Sequence, residues 1–224
     1  GALSSWYEGP TLLQAIEDFA VPPRLVDKPF RLVVDDVGTL GRDRLKLSGL
    51  CVSGRLTVGQ KLAVMPVGDV CQVRKLIKKR PSATTESRGG GSVYTEGAGN
   101  VDEEIQHVYS GECCDVIVHG IEESSRAPAG SVLCKLRKSE LCRGCWKVEA
   151  QIRTFDALLV PLVKGTQMIL HRGGKEVPVT VGKLLALLNA DGEVAKERPR
   201  HVTANRTCRI VLKLEEKACL EAYR

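Results

Sequence analysis

From residue 28 onward the chain repeats one pattern, short apolar runs broken by glycine and polar turns. Residues 30–37, 44–52, 61–65 and 70–77 read as strands, with Val58-Gly59-Gln60 and Pro66-Val67-Gly68-Asp69 as turns. Residues 106–109, 113–118 and 131–136 continue the series. A second series follows at 146–155, 166–171, 175–188 and 208–214, with Asn189-Ala190-Asp191-Gly192 as a turn. Nothing suggests a βαβ alternation, so the pattern predicts an all-β fold. Many short strands call for a sandwich or a barrel, and a barrel leaves no open sheet edge. The expectation is two tandem β-barrels, with the domain boundary near residues 138–144.

A short helix is predicted ahead of the strands. Leu12, Leu13, Ile16 and Phe19 fall on one face at helical spacing, with Gln14, Glu17 and Asp18 off it. Gly9-Pro10 reads as its start, because proline lacks an N–H that the first turn leaves unpaired anyway. Pro22-Pro23 forbids continuation. A helix this short is marginal in water. It must dock, either on the domain that follows or on one upstream. Residues 1–27 therefore read as an interdomain linker, 28–140 as the first barrel and 141–224 as the second.

Between about 81 and 104 the composition turns polar and glycine-rich, as in Arg88-Gly89-Gly90-Gly91-Ser92. That predicts a flexible insert between two strands of the first barrel.

Composition narrows the picture only modestly. Hydrophobic residues make up 43% of the 224-residue chain and aromatics 4%, so the cores must be mostly aliphatic. No apolar run approaches the ~20 residues of a membrane helix, and the N-terminus lacks a signal-peptide layout. A net charge of +6 suits work near RNA without demanding it. The nine cysteines have no framework spacing, which favours free thiols in a reducing cytoplasm. Cys142-Arg143-Gly144-Cys145 is a Cys-x-x-Cys, but zinc wants a second pair or suitably spaced histidines. Only His171 and His201 lie downstream, far apart. A redox motif wants a helix start, and here a strand-like run follows. No metal ligand set is expected.

No catalytic signature is present. The phosphate loop Gly-x-x-x-x-Gly-Lys-[Ser/Thr] has no match, since Val181-Gly182-Lys183-Leu184 lacks the first glycine and ends in leucine. Asp35-Asp36-Val37-Gly38 matches a loose Asp-x-x-Gly signature without a phosphate loop before it. Gly-x-Ser-x-Gly, His-Glu-x-x-His and the dinucleotide fingerprint are also absent. The basic runs are better candidates. Arg74, Lys75, Lys78, Lys79 and Arg80 end a strand, and could neutralise RNA phosphates or form the wet face of that strand. Arg198, Arg200 and His201, in a loop broken by Pro199, are candidates for contact with a partner, or a solvated turn.

Several segments resemble one family. Trp6-Tyr7-Glu8-Gly9-Pro10-Thr11-Leu12-Leu13-Gln14-Ala15-Ile16, then Asp27-Lys28-Pro29-Phe30-Arg31-Leu32, look like the exit from the GTPase domain of translational GTPases of the elongation factor 1-alpha and release-factor group. In that group the segment leads into two β-barrels, domains II and III. Met65-Pro66, Val160-Pro161-Leu162-Val163-Lys164-Gly165 and Met168-Ile169-Leu170-His171 lean towards the ribosome-rescue GTPase that partners Pelota. So do the runs at 190–200 and 212–223.

The resemblance implies a cytoplasmic scaffold that holds a Pelota-like, tRNA-shaped protein and the ribosome. The alternative readings are delivery of an aminoacyl-tRNA, as by elongation factor 1-alpha, or a termination-factor GTPase. GTP and magnesium would belong to a GTPase domain outside this chain, against which the helix would dock, and this part alone would not be an enzyme. The family's domain III continues past the Leu220-Glu221-Ala222-Tyr223 position with a further strand, so the second barrel reads as incomplete. The insert is longer than in the family. A stand-alone RNA-binding or scaffolding barrel protein is the rival reading.

Overall fold

The computed structural model describes residues 9–20, 22–41, 43–81, 100–172 and 174–222, with the backbone alone at 79–81, 100 and 101. Trp6 and Tyr7 of the predicted joint lie outside the described residues. The helix α1 spans Leu12–Glu17. Its start is not Gly9-Pro10 as expected. Thr11 is the N-cap: its hydroxyl accepts from the Gln14 N–H, and Gln14 Oε1 accepts from the Thr11 N–H at 2.9 Å. This reciprocal Thr-x-x-Gln box satisfies two orphan donors at once and outweighs the proline signal. The apolar face is bare, with Leu12 79% and Phe19 74% exposed. Among the described residues, neither barrel covers it.

The first unit comprises β1 (Arg31–Thr39), β2 (Arg44–Ser53), β3 (Arg55–Thr57), β4 (Lys61–Met65), β5 (Asp69–Pro81), β6 (Asn100–Ile105), β7 (His107–Tyr109), β8 (Cys113–His119) and β9 (Val132–Lys135). The sheet runs β4-β9-β1-β2-β8-β5, and β5 pairs back onto β4 to close the barrel. Period-two alternation builds it: along β2, Leu45, Leu47 and Cys51 point inward. They meet Leu32, Val34, Leu62, Val64, Val73, Leu76, Val116 and Val118 in an aliphatic core. Burying such a leucine contributes roughly 1.5–3 kcal/mol.

The flexible insert expected up to 104 ends earlier. Residues 82–99 lie outside the described residues, but β6 is a strand paired with the far end of β5. Charge, not apolar alternation, drives this pairing. Across it Lys75 Nζ donates to Glu104 at 2.9 Å, a contact that opposite charges stabilise.

Gly54 fixes how the linker enters the barrel. Its N–H donates to the Leu25 carbonyl at 2.8 Å, and its φ is +75°. A Cβ there would lie 2.6 Å from Phe30 Cα and 2.9 Å from the Lys28 carbonyl oxygen. Only glycine allows the linker to lie this close.

The second unit comprises β10 (Gly144–Arg153), β11 (Leu162–Val163), β12 (Gln167–Arg172), β13 (Lys175–Leu188), β14 (Val194–Glu197), β15 (His201–Val202) and β16 (Thr207–Cys219). The main sheet runs β10-β16-β13-β12 with β14 on β13, and β11 pairs with β15 in a separate ribbon. Val177, Val179, Val181, Cys208, Ile210, Leu212 and Leu214 form its core with Leu162 and Val202 of the ribbon. β16 runs five residues past the expected end at 214, continuing to Cys219.

The two units meet closely. Gly130 faces Lys175, Gly174 faces Asp35, and Gly144 faces Pro66; a Cβ on each glycine would lie 2.6, 3.2 and 2.7 Å from its neighbour. Above this seam Arg31, buried at 8% exposure, forks onto Glu221, with Nε 2.9 Å from Oε2 and Nη2 2.6 Å from Oε1. Its Nη1 donates to the Phe30 carbonyl at 2.8 Å. The Arg31 hydrogen bond holds the Glu221 carboxyl below its ordinary 4.5. A carboxyl lowered by folding stabilises the fold above its unfolded value and loses that contribution as pH falls through the lowered value. Glu221→Gln should therefore lower stability by about 1 kcal/mol near neutrality, because the carboxylate is half-exposed. The difference from wild type should begin to shrink near pH 4.5 and disappear only below the lowered folded value, as read from paired melting curves across pH.

Candidate functional site

Two basic surfaces were predicted, and the structure treats them differently. On the first barrel, Leu76 is buried while Arg74 and Lys75 face outward beside a bulge between Val73 and Lys75. Arg74, Lys75 and Arg44 line an open cleft of about 810 Å³, but Asp43, Asp102 and Glu104 line it too. Lys75 Nζ donates to Glu104 at 2.9 Å, and Lys78 Nζ donates to Glu112 at 2.9 Å. Burial opposes ionisation of Glu112, yet hydrogen bonds from the Tyr109 N–H and Lys78 outweigh it and hold the carboxyl below the usual range. Arg24 adds a second cation to Glu112 at 3.4 Å. The run of cations that stands out in the sequence is thus partly neutralised in space. Lys79 and Arg80 continue β5, and their side chains lie outside the described residues.

The second surface is more nearly one sign. Arg198, Arg200 and His201 line a cleft of about 570 Å³ together with Lys196 and Arg206, and no carboxylate among the described residues lines it. The backbone sets this up. Arg198 adopts φ +43°, and its N–H donates to the Leu185 carbonyl at 2.8 Å. Pro199 is buried and rigid, which turns its neighbours Arg198 and Arg200 outward. Val202, fully buried, pins the ribbon that carries His201. The turn after β15 is tied by buried Thr154, whose hydroxyl accepts from the Arg206 N–H at 2.9 Å and donates to the Thr203 carbonyl at 2.8 Å. Cationic side chains on a braced loop, without an internal counter-charge, can neutralise an anionic surface such as phosphates or carboxylates.

Arg206 is not singled out by the sequence pattern. It is separated from Arg200 by the polar run Thr203-Ala204-Asn205, and only the turn that returns to β16 brings it to the cleft.

The near-miss nucleotide motifs are spent in sheets. Gly182-Lys183 sits within β13 at a bulge against β16, and Asp35-Asp36 sits in β1. Their backbone groups belong to ladders and do not form a loop that could cradle phosphates, so the residues present do not fit GTP. Among the described residues no group of three or more His, Cys, Asp or Glu side chains is arranged to hold a metal ion. No helix among them is long and apolar enough to cross a membrane.

Comparison with known proteins places this geometry. Residues 147–224 match the family described as GTP-eEF1A C-terminal domain-like. The chain is 27% identical to Protein HBS1 of Drosophila melanogaster over 230 residues, covering 99% of this chain and 29% of that protein. It is 26% identical to elongation factor 1-alpha of Thermofilum pendens over 225 residues, covering 97% of this chain and 45% of the factor. The chain thus spans less than half of either relative. Its fold matches sup35 complexed with GMPPNP at a TM-score of 0.70 and 22% identity, covering 98% of this chain and 47% of that one. It also matches the apo form of elongation factor SelB from Methanococcus maripaludis at a TM-score of 0.67 and 18% identity, covering 94% and 41%.

Proposed function

We propose, from the match of residues 147–224 to the family described as GTP-eEF1A C-terminal domain-like and from the likeness of the chain to Protein HBS1 and elongation factor 1-alpha, that the chain holds a tRNA-shaped partner against the ribosome in the rescue of stalled ribosomes. The observation that carries the reading is the Lys196–Arg198–Arg200–His201–Arg206 cleft, braced by backbone and free of lining carboxylates among the described residues. The partner in this reading is a Pelota-like protein, which the likeness to Protein HBS1 along 99% of this chain supports. Aminoacyl-tRNA is the partner in the elongation reading, which the likeness to elongation factor 1-alpha supports. GTP and magnesium serve a GTPase domain elsewhere in the whole protein, and the work takes place in the cytoplasm.

The first barrel meets ribosomal RNA through Arg74 and Lys75, a weaker surface than the second cleft because Glu104 and Asp102 share it. The bare face of α1 docks on the GTPase domain, since Leu12, Leu13, Ile16 and Phe19 are all exposed.

Ribosome co-sedimentation across salt tests the RNA contact. Arg74→Glu with Lys75→Glu should lower affinity about threefold to tenfold and reduce the log–log salt slope by roughly 1–2. An unchanged slope would return these residues to a solvated strand face.

A further inference from the structure

The seam between the barrels holds chemistry that the proposed function does not use. Cys134 of β9, Cys142 of the connecting segment and Cys219 at the end of β16 belong to one buried cluster with Val132, packed by Val33, Met65 and Leu141. Cys142 is 1% and Cys219 0% exposed. Gly144 stands opposite Cys219 in the β10–β16 ladder, and Cys142 lies two residues before it in the segment that enters β10. The two thiols share this one buried cluster, and each shifts the ionisation of the other. Cys145, by contrast, pairs with Ala218, so its side chain leaves by the opposite face. The Cys-x-x-Cys of the sequence is therefore not the pair; its first member is matched instead with a residue far along the chain.

We propose that Cys142 and Cys219 form a redox-active pair, which closes to a disulfide under peroxide and clasps the end of β16 to the segment joining the barrels. Cys142 holds the Cys219 thiol below its ordinary value, and the charge of Arg172 acts in the same direction. Cys219 and burial raise Cys142, which keeps the proton. Cys219 is thus the attacking thiolate. Its sulfur displaces hydroxide from hydrogen peroxide, giving Cys219–SOH, and the hydroxide takes a proton to leave as water. The Cys142 sulfur then attacks the Cys219 sulfur, the S–S bond forms, and the S–O bond breaks to release a second water. Two thiols lose two electrons and two protons; one peroxide accepts both and becomes two waters.

The other buried thiols are built differently. Burial pushes the thiols of Cys71 and Cys114 up to about 12, and both lie in the first barrel's core, apart from the cluster that holds Cys142 and Cys219. Two residues beyond Cys219, Glu221 grips Arg31 of the first barrel. The disulfide would therefore add a covalent tie next to the ionic one, at the place where the units meet.

The test is peptide mapping of this chain after graded hydrogen peroxide, with remaining thiols alkylated under denaturing conditions and digestion without reductant. A Cys142–Cys219 cross-link is expected before any link through Cys71 or Cys114. The melting temperature should rise by roughly 5–10 °C, as closing so long a loop implies, and fall back with dithiothreitol. Cys142→Ser should abolish both effects. Recovery of both cysteines as alkylated thiols, at peroxide doses that oxidise exposed Cys113, would overturn the pairing, as would a dominant link to Cys134 or Cys145. A link that forms without any shift in melting would overturn the clasp. The wild-type mapping stands whether or not the serine variant folds.

Discussion

Reversing Arg198, Arg200 and Arg206 to glutamate should weaken the partner complex about 100-fold or more while leaving the melting temperature within a few degrees of wild type. All three side chains are exposed, and none of them packs in the core of the second unit. Their braces are backbone groups: the Arg198 N–H on Leu185 and the Arg206 N–H on Thr154. Substitution keeps those bonds. What changes is the sign of the cleft, and removing each charge-assisted hydrogen bond to the partner costs roughly 1–2 kcal/mol. Three such removals make a factor of about 100 even at the low end of that range. The effect should shrink at high salt, because exposed charges are screened within about 8–10 Å at physiological ionic strength. Calorimetric titration at two salt concentrations reads both outcomes. Wild-type affinity in the reversed protein would move the binding surface elsewhere.

Gly54→Val should cost about 3–5 kcal/mol and lower the melting temperature by roughly 10 °C. Two separate penalties add at this position. An L-residue at φ +75° costs about 1–2 kcal/mol by itself. The Cβ would then overlap the backbone at Phe30 Cα and N, and backbone cannot swing aside as a side chain tip can. Phe30 is the largest side chain of the first barrel's fully buried core, so moving it disturbs packing well beyond the linker. Gly59→Ala is the control. Its φ is +87° but nothing lies within 4 Å of the added Cβ, so only the conformational penalty applies. Equal losses of stability for the two variants would refute the close approach of the linker.

Most of the strands are legible in the residues, and the reasons for the exceptions are physical. β4 and β13 fall at the expected residues because apolar runs bounded by turn residues leave little freedom. β6 escapes notice because Asp102-Glu103-Glu104 carries no apolar alternation, and its pairing depends on lysines more than twenty positions earlier. The helix is read correctly from its spacing, but its cap is misplaced because Pro10 draws attention from the Thr11–Gln14 box. Candidate chemistry is harder to see. A run of cations on one strand looks like a phosphate site until Glu104 and Glu112 are placed beside it. Arg31 and Glu221, 190 positions apart, leave no local trace, since only the packing of one barrel on the other brings them together, and Cys142 meets Cys219 only through the pairing of β10 with β16.

The natural protein that contains these barrels, titrated in parallel with a Pelota-like protein and with aminoacyl-tRNA, tests the central claim most directly. The rescue reading predicts saturable binding to the Pelota-like protein that the triple reversal of Arg198, Arg200 and Arg206 abolishes. Binding to aminoacyl-tRNA alone, or to neither, would contradict it.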